Sequence, residues 1–306
     1  MSNIKTKIFN YYLFIIYFIF FYKIDINIFF YYVINMDNKN KTCVVHSTIA
    51  SIGAAIITKT STNPLERIKV LQQVRAHYDV KLYNNIICSF KDIRKQEQFR
   101  GLFKGNLINI CRVTPAYILK FHLNTTFNTI FVDSQKEPKY YHYAASGMST
   151  GVSQLFITYP LETIRTLRTL DNNMFKNNTL SRCVYNIYNN YGIRGFYTGL
   201  PISLLAGGAY TGTQFSVYNY LKYYYTNNTF IAGATAGIIA QTVFYWGDCI
   251  KRNLHANIVK KKYSGTFDCF KQLGIKKLYA GYRVNLFKCI IESPLQFYIY
   301  ENIIQI

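Results

Sequence analysis

Long apolar blocks alternate with short polar stretches along this chain, and they predict helices over 44–73, 106–130, 142–170, 200–224, 229–256 and 283–305. Blocks of that length with few charges suit helices in lipid, which need about 20 apolar residues to cross. A separate run precedes them. Residues Ile8 to Phe21 are almost purely Ile, Phe, Leu and Tyr, and after Lys23 and Asp25 the run resumes to Ile34. Its first uninterrupted part is short for a span. It has neither a small-residue cleavage site nor an Arg-rich amphipathic presequence. A further anchor, a targeting signal and an upstream start outside the functional protein are the three readings. Met36, which opens the polar stretch Met36-Asp37-Asn38-Lys39-Asn40-Lys41, is the favoured start. The expected organisation is an N-terminal extension, 1–42, and a main unit, 43–306.

Within the main unit one pattern occurs three times. Asn63-Pro64-Leu65-Glu66-Arg67-Ile68-Lys69 returns as Tyr159-Pro160-Leu161-Glu162-Thr163-Ile164-Arg165 and as Tyr245-Trp246-Gly247-Asp248-Cys249-Ile250-Lys251. The prolines are 96 residues apart, and Trp246 stands a further 86 on. Small residues precede each copy at matching positions: Ser51 and Ala55, Gly147 and Gly151, Gly233 and Gly237. Small residues four apart let helices approach closely in lipid, so these pairs are expected at helix contacts. An aromatic-x-Gly marker follows each copy: Phe103-Lys104-Gly105, Tyr197-Thr198-Gly199 and Tyr279-Ala280-Gly281. A recurrence of this period is the sign of one supersecondary unit repeated, here helix, loop segment, helix, at about 43–132, 140–225 and 228–306.

Charge adds orientation. The chain carries 35 Lys and Arg against 14 Asp and Glu, a net charge of +21. The loops within repeats (75–104, 168–198, 260–277) hold 17 Lys and Arg, those between repeats (131–140, 222–229) only 3, and the positive-inside rule then puts the within-repeat loops on the inner side of the membrane. The cations are spread over loops and helix interiors instead of forming one stripe, so nucleic acid is not the expected partner. An anionic solute and anionic lipid headgroups are. The seven cysteines show no CxxC spacing and read as small apolar fillers. His46, His77, His122, His142 and His255 are scattered and read as structural. There is no metal cluster, nucleophile motif, phosphate loop or EF-hand spacing, so neither metal, cofactor nor enzyme activity is expected.

Pro-x-acid-x-x-base repeated near 90-residue steps, each followed by aromatic-x-Gly, resembles the mitochondrial carrier family over nearly all of 43–306. The resemblance implies an all-α integral membrane fold: six transmembrane helices in three pseudo-symmetric helix pairs around a central cavity. It implies a multi-pass monomer of the mitochondrial inner membrane, with lipid partners including cardiolipin. It also implies a matrix gate in which Glu66 pairs with Arg165, Glu162 with Lys251 and Asp248 with Lys69. A glutamine brace under that ring is matched by Gln73, while Thr169 and His255 depart from it. Intrahelical pairing three residues apart is the plain alternative for any one copy. The cytoplasmic gate expected on the even helices is eroded. Thr125 and Asn128 replace both its charges in the first repeat, leaving Lys222 and Glu301 as the surviving pair.

For the substrate site, Lys59, Arg112, Lys120 and Lys288 come from three helices and are expected to face the cavity. Convergent cations at mid-membrane suit a multiply charged anion. Arg112 can grip phosphate bidentately and the lysines act as point charges. Lys59-Thr60, the run Gly105 to Arg112 and Gly281-x-x-x-Asn285-x-x-Lys288 look like the nucleotide-type branch, which includes coenzyme A, ATP-Mg/phosphate and ADP/ATP carriers. By the same resemblance Ala206, Gly207 and Tyr210 would receive an adenine ring; helix packing through small residues is the alternative. Lys251-Arg252-Asn253-Leu254-His255-Ala256 stands where ADP/ATP carriers have Arg-Arg-Arg-Met-Met-Met, which argues against that subgroup. Glu292 would repel phosphate unless paired, for instance with Lys288. The function expected is exchange of a phosphorylated adenine-containing solute. A carrier for another anion, or a carrier fold that no longer transports and serves as a scaffold, are the alternatives.

Overall fold

The computed structural model describes residues 38–78, 85–133, 140–170, 180–224 and 229–304. The apolar N-terminal run and the question of Met36 lie outside them. Among the described residues there are nine helices and no strand. They are α1 (Asn38–Tyr78), α2 (Ile86–Gly101), α3 (Asn106–Asn128, continued by a π-helical turn Thr129–Asp133), α4 (Tyr140–Thr169), α5 (Leu180–Tyr191, followed by a 3-10 turn Ile193–Tyr197), α6 (Leu200–Tyr224), α7 (Thr229–Asn257), α8 (Thr266–Leu278) and α9 (Tyr282–Ile304). Each repeat is thus a long helix, a short one and a long one. The short helices bury two positions four apart, one helical turn: Ser89 and Ile93, Cys183 and Ile187, Cys269 and Leu273.

The long helices close into a ring. α3 packs along α4, α6 along α7, and α9 returns to α1. α1, α4 and α7 also touch one another and so occupy the inside. Polarity is inverted relative to a water-soluble bundle. Phe156, Leu205, Ile238, Phe287 and Ile290 on the long helices are exposed, while Glu162, Arg165, Arg252 and Lys288 are buried. No helix among the described residues is both long and apolar enough to be recognised as a membrane span by hydropathy. The apolar blocks are diluted by the motif charges and by inward Ser, Thr, Asn and Gln residues, which lower the mean without changing the outer face. Length is sufficient: the 23 residues of α9 rise about 35 Å, against a hydrocarbon core of roughly 30 Å.

Pro64 lies inside α1 and Pro160 inside α4, where each removes a backbone hydrogen bond. Trp246 keeps its N–H in α7 and packs edge-on against Phe270 of α8, ring centroids 6.2 Å apart. The residue before each of these positions ties its helix to the start of the next long one. Asn63 donates to the Leu102 carbonyl (2.8 Å), Tyr159 to that of Thr198 (3.1 Å) and Tyr245 to that of Ala280 (2.9 Å). The marker glycines Gly105, Gly199 and Gly281 have φ of 83°, 82° and 78°, and each abuts the next odd helix, the first long helix of a repeat (α1, α4 or α7). A Cβ on Gly105 would lie 2.6 Å from Thr169 Oγ1, and one on Gly281 3.0 Å from the Lys69 carbonyl. Only glycine suits both the left-handed backbone and the contact.

The glycine pairs of the second and third copies are corrected by one position, whereas Ala55 of the first copy is itself buried. Gly147, Gly151 and Gly233 have nothing within 4 Å of where a Cβ would sit, and Gly237 meets only the end of Gln214. The buried contact face lies one residue earlier, at Ala50 and Ala54, Ser146 and Thr150, Ala232 and Ala236. A single-residue step is about 100° of helix rotation, so spacing alone does not settle which of two adjacent small-residue stripes is packed.

One residue breaks the threefold pattern of backbone geometry. Seven residues before each marker glycine the chain takes φ near 60° in an extended ψ: Gly192 (63°, −156°), Gly274 (65°, 164°) and Gln98 (60°, −166°). That region is essentially restricted to glycine and costs another residue roughly 1–3 kcal/mol. Gln98→Gly is expected to raise stability by about 1 kcal/mol, net of glycine's greater unfolded-state entropy. Thermal unfolding in detergent checks this, and a lower midpoint would show that the glutamine is unstrained.

Candidate functional site

The motif residues of α1, α4 and α7 meet on the axis of the ring. Glu66 Oε1 lies 3.4 Å from Arg165 Nη2, Glu162 Oε1 2.9 Å from Lys251 Nζ, and Asp248 Oδ2 2.7 Å from Lys69 Nζ. Each pair joins one odd helix to another, and together they make a closed cycle. The three-residue spacing of acid and base puts both on the inner face of one helix, from which the acid reaches one neighbour and the base the other. Intrahelical pairing occurs as well in the third copy, where Lys251 lies 3.3 Å from Asp248.

Further groups steady the cycle. Gln73 donates to Asp248 Oδ2 and to the Tyr245 hydroxyl, both at 3.0 Å. Lys69 stands 5.7 Å from the Tyr245 ring centroid, a cation–π contact. At the two places related to Gln73, Thr169 bonds back to the Arg165 carbonyl (2.9 Å) and His255 stacks edge-on against Tyr159 at 5.8 Å. Neither reaches an acid of the cycle, so the brace is single. The motif pattern missed Arg252. It is buried, donates to Thr166, and lies 3.3 Å from Glu162 and 3.6 Å from Asp248. Its place directly after Lys251 was the available signal. It adds a base to the three of the motif pairs.

Above the cycle is a cavity of about 290 Å³. Its lining includes Lys69, Asp248 and Lys251 from the cycle, then Ala206, Gly207, Tyr210, Gln241, Asn285 and Lys288. Ala206, Gly207, Tyr210 and Lys288 are therefore brought together. Ala206 is also spent on packing: a Cβ added to Gly247 would sit 2.3 Å from its own Cβ, so α6 and α7 touch there. Gly207 has open space beside it. The Asn285 amide nitrogen is buried without a partner and so is free to donate.

The other expected binding cations are placed differently. Lys59 bonds Glu292 across the α1–α9 contact. Lys288 joins Glu66 (2.6 Å) and Glu292 (3.1 Å), so Glu292 does have the partner it needs. Arg112 is half-buried beside Asn109 at 3.4 Å, its Nε unpartnered, and its charge is felt at Glu162 and Arg165. Lys120 is exposed and does not line the cavity. At the far end, Glu301 is exposed, and the side chain of Lys222 lies outside the described ones. Asn128 accepts a 2.6 Å bond from Ser146, holding α3 to α4 where a gate base would stand.

The family description "Mitochondrial carrier protein" matches residues 40–135, 136–229 and 225–306. The chain belongs to the mitochondrial carrier family. This carrier is 30% identical to mitochondrial substrate carrier family protein A of Dictyostelium discoideum over 82% of each chain. It is also 30% identical to ADP/ATP translocase 3 of Homo sapiens, over 72% of this chain and 82% of that one. Mitochondrial substrate carrier family protein X of Dictyostelium discoideum is 30% identical over 84% of this chain and 89% of its own. The carrier is accordingly a transporter and not an enzyme, and its exposed apolar outer face is the surface of an integral membrane protein.

Removing one partner of a buried ion pair leaves the other charge uncompensated, at roughly 3–5 kcal/mol. Glu162 serves both Lys251 and Arg252, so Glu162→Gln should lower unfolding free energy by about 3 kcal/mol. Glu301→Gln, at an exposed position, should stay within about 0.5 kcal/mol of the parent. Denaturant unfolding of both variants in detergent is the check; equal losses would mean that Glu162 is not a structural member of the cycle.

Proposed function

We propose that the carrier exchanges a phosphorylated, adenine-containing solute, coenzyme A or an adenine nucleotide, across the mitochondrial inner membrane by alternating access. The observation that carries this reading is the lining of the cavity. Lys69, Lys251 and Lys288 line it together with Asp248, and Gly207 and Tyr210 line it too, with open space beside Gly207 and a ring on Tyr210 against which a base can stack. A buried lysine cluster is a poor site for a neutral solute and a good one for phosphate, because low dielectric strengthens the attraction. Likeness to ADP/ATP translocase 3 agrees with the class of solute.

In this reading residues 43–306 are the transporting unit, a monomer held among lipids such as cardiolipin. Glu66, Lys69, Gln73, Glu162, Arg165, Asp248 and Lys251 form the matrix gate. With their pairs made, the cavity faces the cytoplasm. Lys59, Arg112 and Lys288 receive the anion. An anion that takes Lys288 away from Glu66 leaves that acid to Arg165 alone and weakens the gate at that point. Lys222 and Glu301 then close the other side. A single pair there opposes three at the matrix side, so the matrix-closed form is the resting one.

A carrier for a less charged anion is the second reading, favoured by Glu292, which neutralises part of the basic lining through Lys59 and Lys288. Uptake into proteoliposomes preloaded with ADP, coenzyme A, phosphate or dicarboxylates separates the two. Exchange of ADP or coenzyme A, lost in Lys288→Ala, is the expected result. Unchanged nucleotide exchange in Lys288→Ala would reject its role. Exchange of dicarboxylates alone would favour the second reading, and no exchange of any solute would return the chain to the scaffold alternative.

A further inference from the structure

We infer that Glu292 is a tethered counter-anion: its carboxylate occupies, in the empty carrier, the place between Lys59 and Lys288 that an oxyanion of the substrate must take. The inference rests on the proposed substrate site but concerns a residue that site does not need. Glu292 is buried at mid-helix in α9 and bonds Lys59 of α1 through one oxygen and Lys288 of its own helix through the other. A carboxylate bridging two ammonium groups with separate oxygens has the geometry of a bound phosphate or carboxylate edge.

The surroundings leave Glu292 little else to do. Lys59 and Glu66 face it from α1, and Lys288 from α9; Gln296, one turn beyond, is engaged with Tyr117 of α3 at 2.7 Å. Lys288 already has Glu66 as a partner, so Glu292 is not required to satisfy it. Lys59 sits at the α1–α9 contact and keeps 29% of its side-chain surface exposed, against 11% for Lys288. An oxyanion arriving there competes with a carboxylate that is covalently held, and whose effective concentration is therefore high.

Two consequences follow by mass action. Binding is weaker than the lysines alone would give, which favours release as much as capture, and a carrier needs both. An anion that displaces Glu292 leaves a desolvated carboxylate without its partners, and such a group takes up a proton. By reciprocity, acidification releases the lysines and strengthens anion binding.

The test uses the full-length carrier in detergent at a fixed pH, with pyrophosphate and ADP as probes and thermal stabilisation as the readout. Glu292→Gln removes the competing charge and should be stabilised at about tenfold lower pyrophosphate than the parent. Pyrophosphate itself takes up a proton and loses charge between pH 8 and 6, so the comparison is between the two proteins: the advantage of Glu292→Gln over the parent should shrink on acidification. Should Glu292→Gln fail to fold, Glu292→Asp keeps the charge but shortens its reach, and should bind pyrophosphate more tightly than the parent. Equal midpoints in parent and variant, or no pyrophosphate binding by either, would overturn the inference. Tighter pyrophosphate binding with no preference for ADP would sink the adenine reading and leave this one standing.

Discussion

Burying a charge costs several kcal/mol, and an ion pair repays it only when geometry and extra hydrogen bonds are good. In this carrier three such pairs close on one another, so that α1, α4 and α7 are each held from two sides. The rest of the fold serves this cycle. The Asn63, Tyr159 and Tyr245 bonds fix each odd helix to the head of the even helix that follows. The marker glycines let those heads abut the next odd helix. An interaction made of separable charges is also one that can be exchanged for another, which hydrophobic packing of the same strength is not.

The three repeats are alike in outline and unlike in their fastenings. In the first, Arg67 grips Glu97 with two bonds of 2.8 Å, and Lys104 adds a third contact at 2.7 Å. At the matching places Thr163 donates to the Phe196 carbonyl at 2.7 Å, and Cys249 makes a weak 3.5 Å contact with that of Lys277. The first repeat is therefore tied to its short helix by charge, while neutral groups tie the second to the turn after α5 and the third to α8. The brace is likewise single, Gln73 on α1, and the surplus bases are two, Arg252 on α7 and Lys288 on α9. The cycle is thus threefold in its pairs and asymmetric in its supports.

Much of this was legible in the chain. Acid and base three apart, repeated in three registers and each followed by aromatic-x-Gly, identify the odd helices and the turns, and the resemblance to the mitochondrial carrier family supplies the partners of the cycle. Helix periodicity fixes which face such residues share. What the sequence could not carry were contacts set by helix rotation and by distant pairs. The packed face at Ala232 and Ala236 is one residue from the glycines that spacing singled out. Lys59 and Glu292 are 233 positions apart, and no local rule joins them. Lys59 therefore looked like an unengaged cation, and Arg252 like one more base in a basic run.

The link that decides whether the odd helices are held as a cycle is the one between first and third repeats, Lys69 with Asp248. A double-mutant cycle of Lys69→Gln and Asp248→Asn, read by denaturant unfolding in detergent, measures it directly. A favourable coupling above about 1 kcal/mol is the expected result, since the two side chains are in contact and share a buried site. Strictly additive losses would mean that the two charges do not hold α1 to α7, and the cycle would be open.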